Sequence, residues 1–319
     1  MPESDLELVV TGTESVAKGI LGITLASPDG AELPAWTPGA HIDLRFTSRG
    51  TEFVRQYSLC GRPEDRRQWQ IAVLHVPDGR GGSIHIHEAF AEGSAVRVAG
   101  PRNTFTLVPA GSYLFIAGGI GITPVLPMIR EAAATGADWR LVYCGRSVDS
   151  MAFIDDVLAL GSEKVLVQAS GVAGRADLAA HIDRADPEAE VYCCGPAPML
   201  DAVEEHCASR PTNRLHTERF SRRQDAQEGE ATAFEVEFAR SGVAVTVPAD
   251  RSILDMAEEA GVDIESSCQE GICGTCETAV VAGVPDHRDE VLSEEERAGG
   301  RTMMVCVSRS CSARLVLDA

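Results

Sequence analysis

The chain has 319 residues, a net charge of −20 and 10 cysteines. That length exceeds one ordinary core and predicts two or three domains. The acidic balance argues against nucleic acid and anionic membrane surfaces, whose phosphates need Lys and Arg, and allows a basic protein partner.

The opening Met1-Pro2-Glu3-Ser4-Asp5 is acidic and has no basic stretch leading into an apolar core. No run approaches about 20 apolar residues, so no membrane span is expected. The expectation is a cytoplasmic protein whose cysteines are ligands and reduced thiols rather than disulfides.

The first hundred residues read as β-rich. "LELVVTGTESVAKGILGITLAS" holds two apolar runs, and "AHIDLRF", "RQYSL" and "WQIAVLHV" alternate. About six short strands predict a closed antiparallel barrel. In "RQYSL" Arg55 offers a permanent cation for a phosphate. Gln56 follows it. Tyr57 brings a flat ring and Ser58 a hydroxyl, on the same side of the strand or nearly so. "GRGGSIHIHE" adds a Gly loop, Gly81 and Gly82, with Ser83 leading a short helix to Phe90, an end that favours anions. His75, His85 and His87 read as surface or packing residues. Taken alone, Arg-x-Tyr-Ser is as often plain surface.

The middle third alternates strand and helix: "SYLFIAGGIGITPVLPMIREAAAT", "WRLVYCG", "AFIDDVLAL", "KVLVQAS", "RADLAAHID", then "EVYCCGPAPMLDAVEEHCAS". That rhythm predicts a parallel sheet covered by helices. Gly118, Gly119 and Gly121 follow an apolar strand and open a helix, as a pyrophosphate turn does, with Thr123 as N-cap and Pro124 as first helical residue. A plain tight turn is the simpler alternative. Cys194-Gly195-Pro196 forms a second strand-to-helix turn at the same sheet edge, so the two define one crevice. After "YCG", Arg146 and Ser147 suit a 2′-phosphate, and the nearest acid, Asp149, comes later. NADPH therefore stays open beside NADH.

"SRRQDAQEGEATA" reads as a linker, about 223–232. Beyond it, two alternating strands with a turn at Ser241-Gly242 and an amphipathic helix predict a small separate domain. It contains "SSCQEGICGTCETAV". Cys268, Cys273 and Cys276 crowd one loop, and Cys306, on an expected strand "MMVCV", completes C-x4-C-x2-C-x29-C. This is plant-type 2Fe–2S spacing, unlike the paired hairpins of structural zinc sites. Gly271 and Gly274 permit close backbone approach to bridging sulfides. A zinc loop or unligated thiols are the alternatives. Cys311, Cys60, Cys144, Cys193 and Cys207 are read as ordinary thiols. Residues 232–319 hold 17 Asp or Glu against 7 Arg, about half the chain's net charge. The run "DEVLSEEE" suits both a basic partner and a capping box from Ser293 to Glu296.

"SCQEGICGTCETAVVAG" and "VCVSRS" resemble a plant-type ferredoxin, a β-grasp fold. With "RQYSL", "GGIGITP" and "CCGP" in this order, the whole chain resembles the phthalate dioxygenase reductase family, which includes vanillate demethylase reductases, within the ferredoxin–NADP reductase superfamily. The resemblance implies an FMN barrel at 1–108, an NAD-binding α/β domain at 109–222 and a ferredoxin domain at 233–319. It implies that Arg55 pairs with the FMN phosphate, that Tyr57 and Ser58 flank the flavin with Ser58 near N5, and that Gly81, Gly82 and Ser83 cradle the phosphate end. Cys194-Gly195-Pro196 then faces the nicotinamide. Glu218 and Phe220 match an E-x-F motif beside the flavin, although Arg219 stands between them where a small residue is usual. NADH is the implied donor, and Ser58 and Cys194 are positioners of the reacting groups.

A flavin accepts a hydride and releases single electrons to a cluster that takes one at a time. The protein's task is to bring nicotinamide C4 and flavin N5 to about 3–3.5 Å, with no acid–base pair required. The implied acceptor is a terminal oxygenase, Rieske-type or haem-thiolate, and the chain carries no Rieske Cys-x-His pair of its own. Such reductases tend to be monomers. The rival readings are a non-enzymatic ferredoxin-like carrier and a zinc-bound scaffold.

Overall fold

The computed structural model describes residues 5–48, 50–209, 214–221 and 232–319. Residues 223–231 of the expected linker lie outside them. The chain forms two compact units, Met1–Glu218 and Arg219–Ala319.

The first unit opens with β1 (Leu6–Ala17), β2 (Ile20–Ala26), β3 (His41–Ser48), β4 (Thr51–Ser58), β5 (Trp69–Leu74), the helix α1 (Gly82–Ala89) and β6 (Ala95–Arg102). The strands make one antiparallel sheet in the order β4-β3-β6-β1-β2-β5. Alternating apolar residues, among them Ile23, Leu25, Ile42, Leu44 and Trp69, fill its interior. The sheet curls until the chain leaving β4 reaches β5, where Cys60 N–H donates to Gln70 O at 2.9 Å.

The same unit continues with β7 (Ser112–Gly118), α2 (Ile122–Thr135), β8 (Asp138–Gly145), α3 (Ile154–Gly161), β9 (Val165–Ala169), α4 (Ser170–Ala173), α5 (Leu178–Arg184), β10 (Glu190–Cys194), α6 (Ala197–Ala208) and β11 (Leu215–Glu218). These strands form a second sheet whose ladders are all parallel, in the order β11-β10-β7-β8-β9. The strand order reverses between β7 and β10, the position where open α/β sheets form their ligand crevice. Helix α2 ends at Gly136, whose φ of 77° is the left-handed C-terminal stop.

The second unit holds β12 (Phe234–Phe238), β13 (Val243–Val247), α7 (Ile253–Glu259), β14 (Glu277–Ala282), β15 (Pro285–Asp286), α8 (Glu294–Gly299), β16 (Thr302–Met304), β17 (Arg309–Ser310) and β18 (Arg314–Leu317). A mixed sheet runs β13-β12-β18-β14-β16, and β15 pairs with β17. The turn at Ser241-Gly242 is where the alternation predicts it, with Gly242 at φ 68°. Ser252 and Asp255 cap α7 reciprocally, and Ser293 and Glu296 do the same for α8, so part of the acidic run is a capped helix start.

One buried arginine staples this small unit. Arg309 is 7% exposed, donates to the carbonyls of Arg251 (2.7 Å), Pro248 (2.8 Å) and Thr232 (3.2 Å), and lies over the Phe234 ring at 5.0 Å. Arg309→Ala leaves buried carbonyls unpaired and is expected to cost about 2–4 kcal/mol of this unit's stability. A urea titration of wild type and variant, followed by circular dichroism, checks this.

Candidate functional site

Strand β4 carries the flavin motif. Arg55 packs over the Phe53 ring at 5.0 Å, and a Cβ added to Gly82 would lie 3.0 Å from Arg55 Nε. Gly81, at φ 89°, starts α1 in the left-handed region that suits glycine. The guanidinium and the N–H groups at the start of α1 thus share one spot, the composition an anionic phosphate needs. Ser83 leads this helix as expected, and its Oγ accepts from Val76 N–H at 3.1 Å.

Tyr57 and Ser58 are consecutive strand residues, so alternation sends them to opposite faces, against the expectation of a shared side. Ser58 is 6% exposed. Gln56 donates to Asp43 Oδ1 at 3.2 Å. Asp43 is itself buried and paired with Arg102 at 2.6 Å. That ion pair supports β4 from β3 and β6, and no sequence signal pointed to it. The three histidines pack as expected: His85 stacks on Phe46, and His87 meets His75 and the Val73 carbonyl.

The turns after β7 and β10 meet. A Cβ on Gly121 would stand 2.2 Å from Cys194 O, one on Gly118 would stand 2.6 Å from Pro196 Cδ, and one on Gly195 would stand 3.1 Å from Gly118 Cα. Only glycine allows this approach, which leaves a floor of backbone for a flat ring. Gly119, at φ 55°, has open space above it. Thr123 is not the N-cap. A 3-10 turn over Gly119–Gly121 feeds straight into α2 at Ile122, so Thr123 lies inside the helix and its hydroxyl donates to Ile120 O at 2.9 Å. Arg146 is exposed beyond β8. Ser147 Oγ lies 3.1 Å from Ser150 Oγ, and Asp149 faces Lys18.

Register on the parallel ladder sets Cys194 beside Glu218, with Sγ 4.0 Å from Oε2. Burial raises the Cys194 pKa well above the ordinary thiol value, and the neighbouring carboxylate adds to this. Glu218 retains some exposed surface, but its carboxyl is sunk in protein, and that burial raises its pKa from 4.5 to about 8. A carboxyl with a raised native pKa holds a proton that the unfolded chain has released. Stability therefore falls as pH rises from about 5 to 8 and levels off above. Glu218→Gln is expected to flatten that part of the profile, which denaturant midpoints at pH 5.5 and 8 for both proteins will show. Phe220 is exposed and belongs to the second unit, so the expected E-x-F pair is divided between the two units.

In the second unit the four cysteines come together. Cys268 neighbours Cys273 and Cys306, and Cys276 neighbours Cys306. Those neighbouring thiols, Cys273 first, lower the pKa of Cys268. Glu270 N–H donates to Cys268 Sγ at 3.3 Å, and Cys273 Sγ donates to Thr275 Oγ1 at 3.2 Å. Gln269, Gly271 and Gly274 all have positive φ, which curls the loop around the sulfurs. A Cβ on Gly271 would lie 2.5 Å from Val307 Cγ2 and 3.1 Å from Asp289 Cα. Asp289, 2% exposed, accepts from Val291 and Leu292 N–H, and Glu290 N–H donates to Gly271 O at 2.8 Å. This turn clips the loop in place, and no local sequence pattern signals it.

Cys306 does not lie on a strand: β16 stops at Met304, and Val305–Val307 form a turn closed by Ser308 N–H to Met304 O at 3.0 Å. Among the described residues no three His, Cys, Asp or Glu side chains converge as a single ion requires. Two sulfide-bridged irons occupy more space and need only two thiolates each, so a four-thiol, N–H-lined loop fits a 2Fe–2S cluster. Cys311 is exposed, and none of the ten cysteines is in a disulfide.

Three family models match the chain: an oxidoreductase FAD-binding domain at residues 7–107, an oxidoreductase NAD-binding domain at 115–205 and a 2Fe-2S iron-sulfur cluster binding domain at 236–314. The phenoxybenzoate dioxygenase subunit beta of Ectopseudomonas oleovorans is 43% identical, over 95% of this chain and 93% of that protein. The solved phthalate dioxygenase reductase is 38% identical with TM-score 0.77, covering 99% of this chain and 98% of the other. An intact type IV self-sufficient cytochrome P450 monooxygenase is 43% identical with TM-score 0.85. It covers 99% of this chain, which spans 41% of that structure's length. No helix among the described residues is long and apolar enough to cross a membrane.

Proposed function

Because the chain belongs to the phthalate dioxygenase reductase family, and is thus an electron-transfer reductase with nicotinamide, flavin and 2Fe–2S domains, we propose that NADH reduces FMN in it and that single electrons leave for the Rieske centre of a terminal oxygenase. The observation that carries this reading is the meeting of the Gly118–Gly121 and Cys194–Pro196 turns at the switch point of the parallel sheet. That crevice belongs to the same compact unit as the Arg55–α1 anion site.

Arg55 and the backbone of Gly81–Ser83 hold the FMN phosphate. Gln56 and Tyr57 line the flavin from β4, and Ser58, on the other face at the very end of that strand, brings its hydroxyl beside the reactive N5. Gly118, Gly119, Gly121 and Thr123 shape the turn that seats the nicotinamide nucleotide, Arg146 and Ser147 lie toward its ribose, and Cys194, Gly195 and Pro196 face the nicotinamide ring. Cys194 stays protonated through burial and positions rather than attacks. Glu218 borders the flavin. Bound flavin supplies the conversion of one hydride into two single electrons. Cys268, Cys273, Cys276 and Cys306 hold the cluster, and the acidic ferredoxin domain docks a basic face of the acceptor. We place the protein in the cytoplasm, where free thiols stay reduced.

A haem-thiolate monooxygenase is the second reading of the acceptor, favoured by the likeness to the reductase part of a cytochrome P450. Anaerobic mixing of NADH-reduced protein with a purified Rieske oxygenase and, separately, with a haem-thiolate monooxygenase decides between them. Reduction of the Rieske centre supports the proposal, and reduction of the haem alone supports the second reading. Failure to bind flavin after reconstitution sinks both.

A further inference from the structure

We propose that Arg130 is a positioning residue for hydride transfer, fixing the flavin strand against the nicotinamide turn. This rests on the reading that Ser58 borders the flavin and that the Gly118–Gly121 turn seats the nicotinamide.

Arg130 lies on α2, nine residues beyond Gly121 and about 13 Å along the helix. Its side chain is 16% exposed. Nη1 donates to Cys60 O at 2.9 Å and Gly61 O at 2.8 Å, and Nη2 reaches Asp156 Oδ1 on α3 at 3.0 Å. Cys60 and Gly61 continue the chain directly from Ser58. That continuation is already fixed to the barrel: Leu59 N–H donates to Ala40 O at 2.8 Å and Cys60 N–H to Gln70 O at 2.9 Å. At the other end of α2, Gly121 is pressed against the Cys194 carbonyl. The helix is therefore a strut, with its front at the nicotinamide turn and its side fastened two residues past Ser58.

The surrounding contact is apolar. Ile20, Cys60 and Ala72 of the barrel share a core with Val125, Met128 and Ile129 of α2. Apolar packing is non-directional and tolerates small slides. A planar guanidinium gripping two successive carbonyls does not, because its donors have fixed directions. Asp156 holds the guanidinium from the far side. Other directional ties hold other segments: Lys18 N–H donates to Asp149 O at 2.7 Å, between the barrel and the loop after β8, and Tyr192 OH of β10 donates to Thr106 O at 3.0 Å, beyond β6. Arg130 is thus the directional contact that grips the chain where it leaves the flavin strand, and hydride transfer is steeply sensitive to a misplacement of about 1 Å.

The test is anaerobic stopped-flow on the full chain reconstituted with FMN and cluster, comparing wild type, Arg130→Ala, Arg130→Lys and Asp156→Asn. Flavin reduction is followed with NADH and with 4-deuterated NADH, and flavin and nicotinamide binding are titrated separately. Arg130→Ala is expected to slow flavin reduction about 10- to 100-fold and to alter the primary isotope effect, with both dissociation constants within about threefold of wild type. Arg130→Lys keeps the charge but not the fork and recovers part of the rate. Asp156→Asn loses less than Arg130→Ala. If Arg130→Ala does not fold, the lysine and Asp156 variants carry the same comparison. Flavin reduction within about twofold of wild type, or a loss wholly explained by weaker nicotinamide binding with an unchanged isotope effect, overturns the proposal. A wild type that binds no flavin instead overturns the site reading beneath it.

Discussion

Cys306→Ala is expected to abolish electron delivery to an oxygenase while leaving flavin reduction by NADH within about twofold of wild type. Two irons need four thiolates, and the Cys268–Cys276 loop supplies three. Cys306 arrives from a separate turn and touches both Cys268 and Cys276, so its removal opens the set between two other ligands. The barrel and parallel sheet form their own compact unit, so their folding is not expected to depend on it. The variant should therefore lack acid-labile sulfide and the electron paramagnetic resonance signal of a reduced cluster. It should still reduce ferricyanide with NADH, and fail with a one-electron protein acceptor. The same change at exposed Cys311 is expected to leave cluster and activity intact, and a Cys311→Ala protein without a cluster would reverse the ligand assignment.

Gly121→Val is expected to lower flavin reduction by NADH at least about 100-fold without preventing reduction of flavin and cluster by dithionite. Its Cβ would fall 2.2 Å from the Cys194 carbonyl oxygen and 2.5 Å from its carbon. Those are backbone atoms of a central strand, so relief requires α2 to move away from the β10 turn. That movement opens the crevice where both turns meet. The control is Gly111→Ala, at a position with open space and ordinary φ, where no change is expected. Nicotinamide titration and stopped-flow together separate lost binding from misplacement.

The signals that were local in sequence proved readable. The apolar run of β7 followed by glycines marked the strand, turn and helix at the sheet's reversal, and the Ser293–Glu296 spacing marked a real capping box. The three cysteines of one loop marked the cluster because that chemistry needs them close in sequence. What failed was local pattern overruled by neighbours. "MMVCV" is apolar because it lies in the core, and its second half bends into a turn so that Cys306 faces the other sulfurs. Thr123 has the chemistry of a cap, yet the 3-10 turn before it already starts the helix. Arg130, Asp43 with Arg102, and Asp289 were invisible because their partners lie elsewhere in the chain. The carbonyls gripped by Arg130 are about 70 residues away, and no periodicity records such a contact.

The central claim is an ordered relay from nicotinamide to flavin to cluster. It is tested most directly by rapid mixing of the reconstituted protein with NADH under anaerobic conditions, with flavin absorbance and the reduced-cluster paramagnetic signal followed in the same time course. The relay predicts that flavin reduction comes first and that the cluster signal rises from it. A cluster reduced by NADH ahead of the flavin, or in protein stripped of flavin, would contradict it.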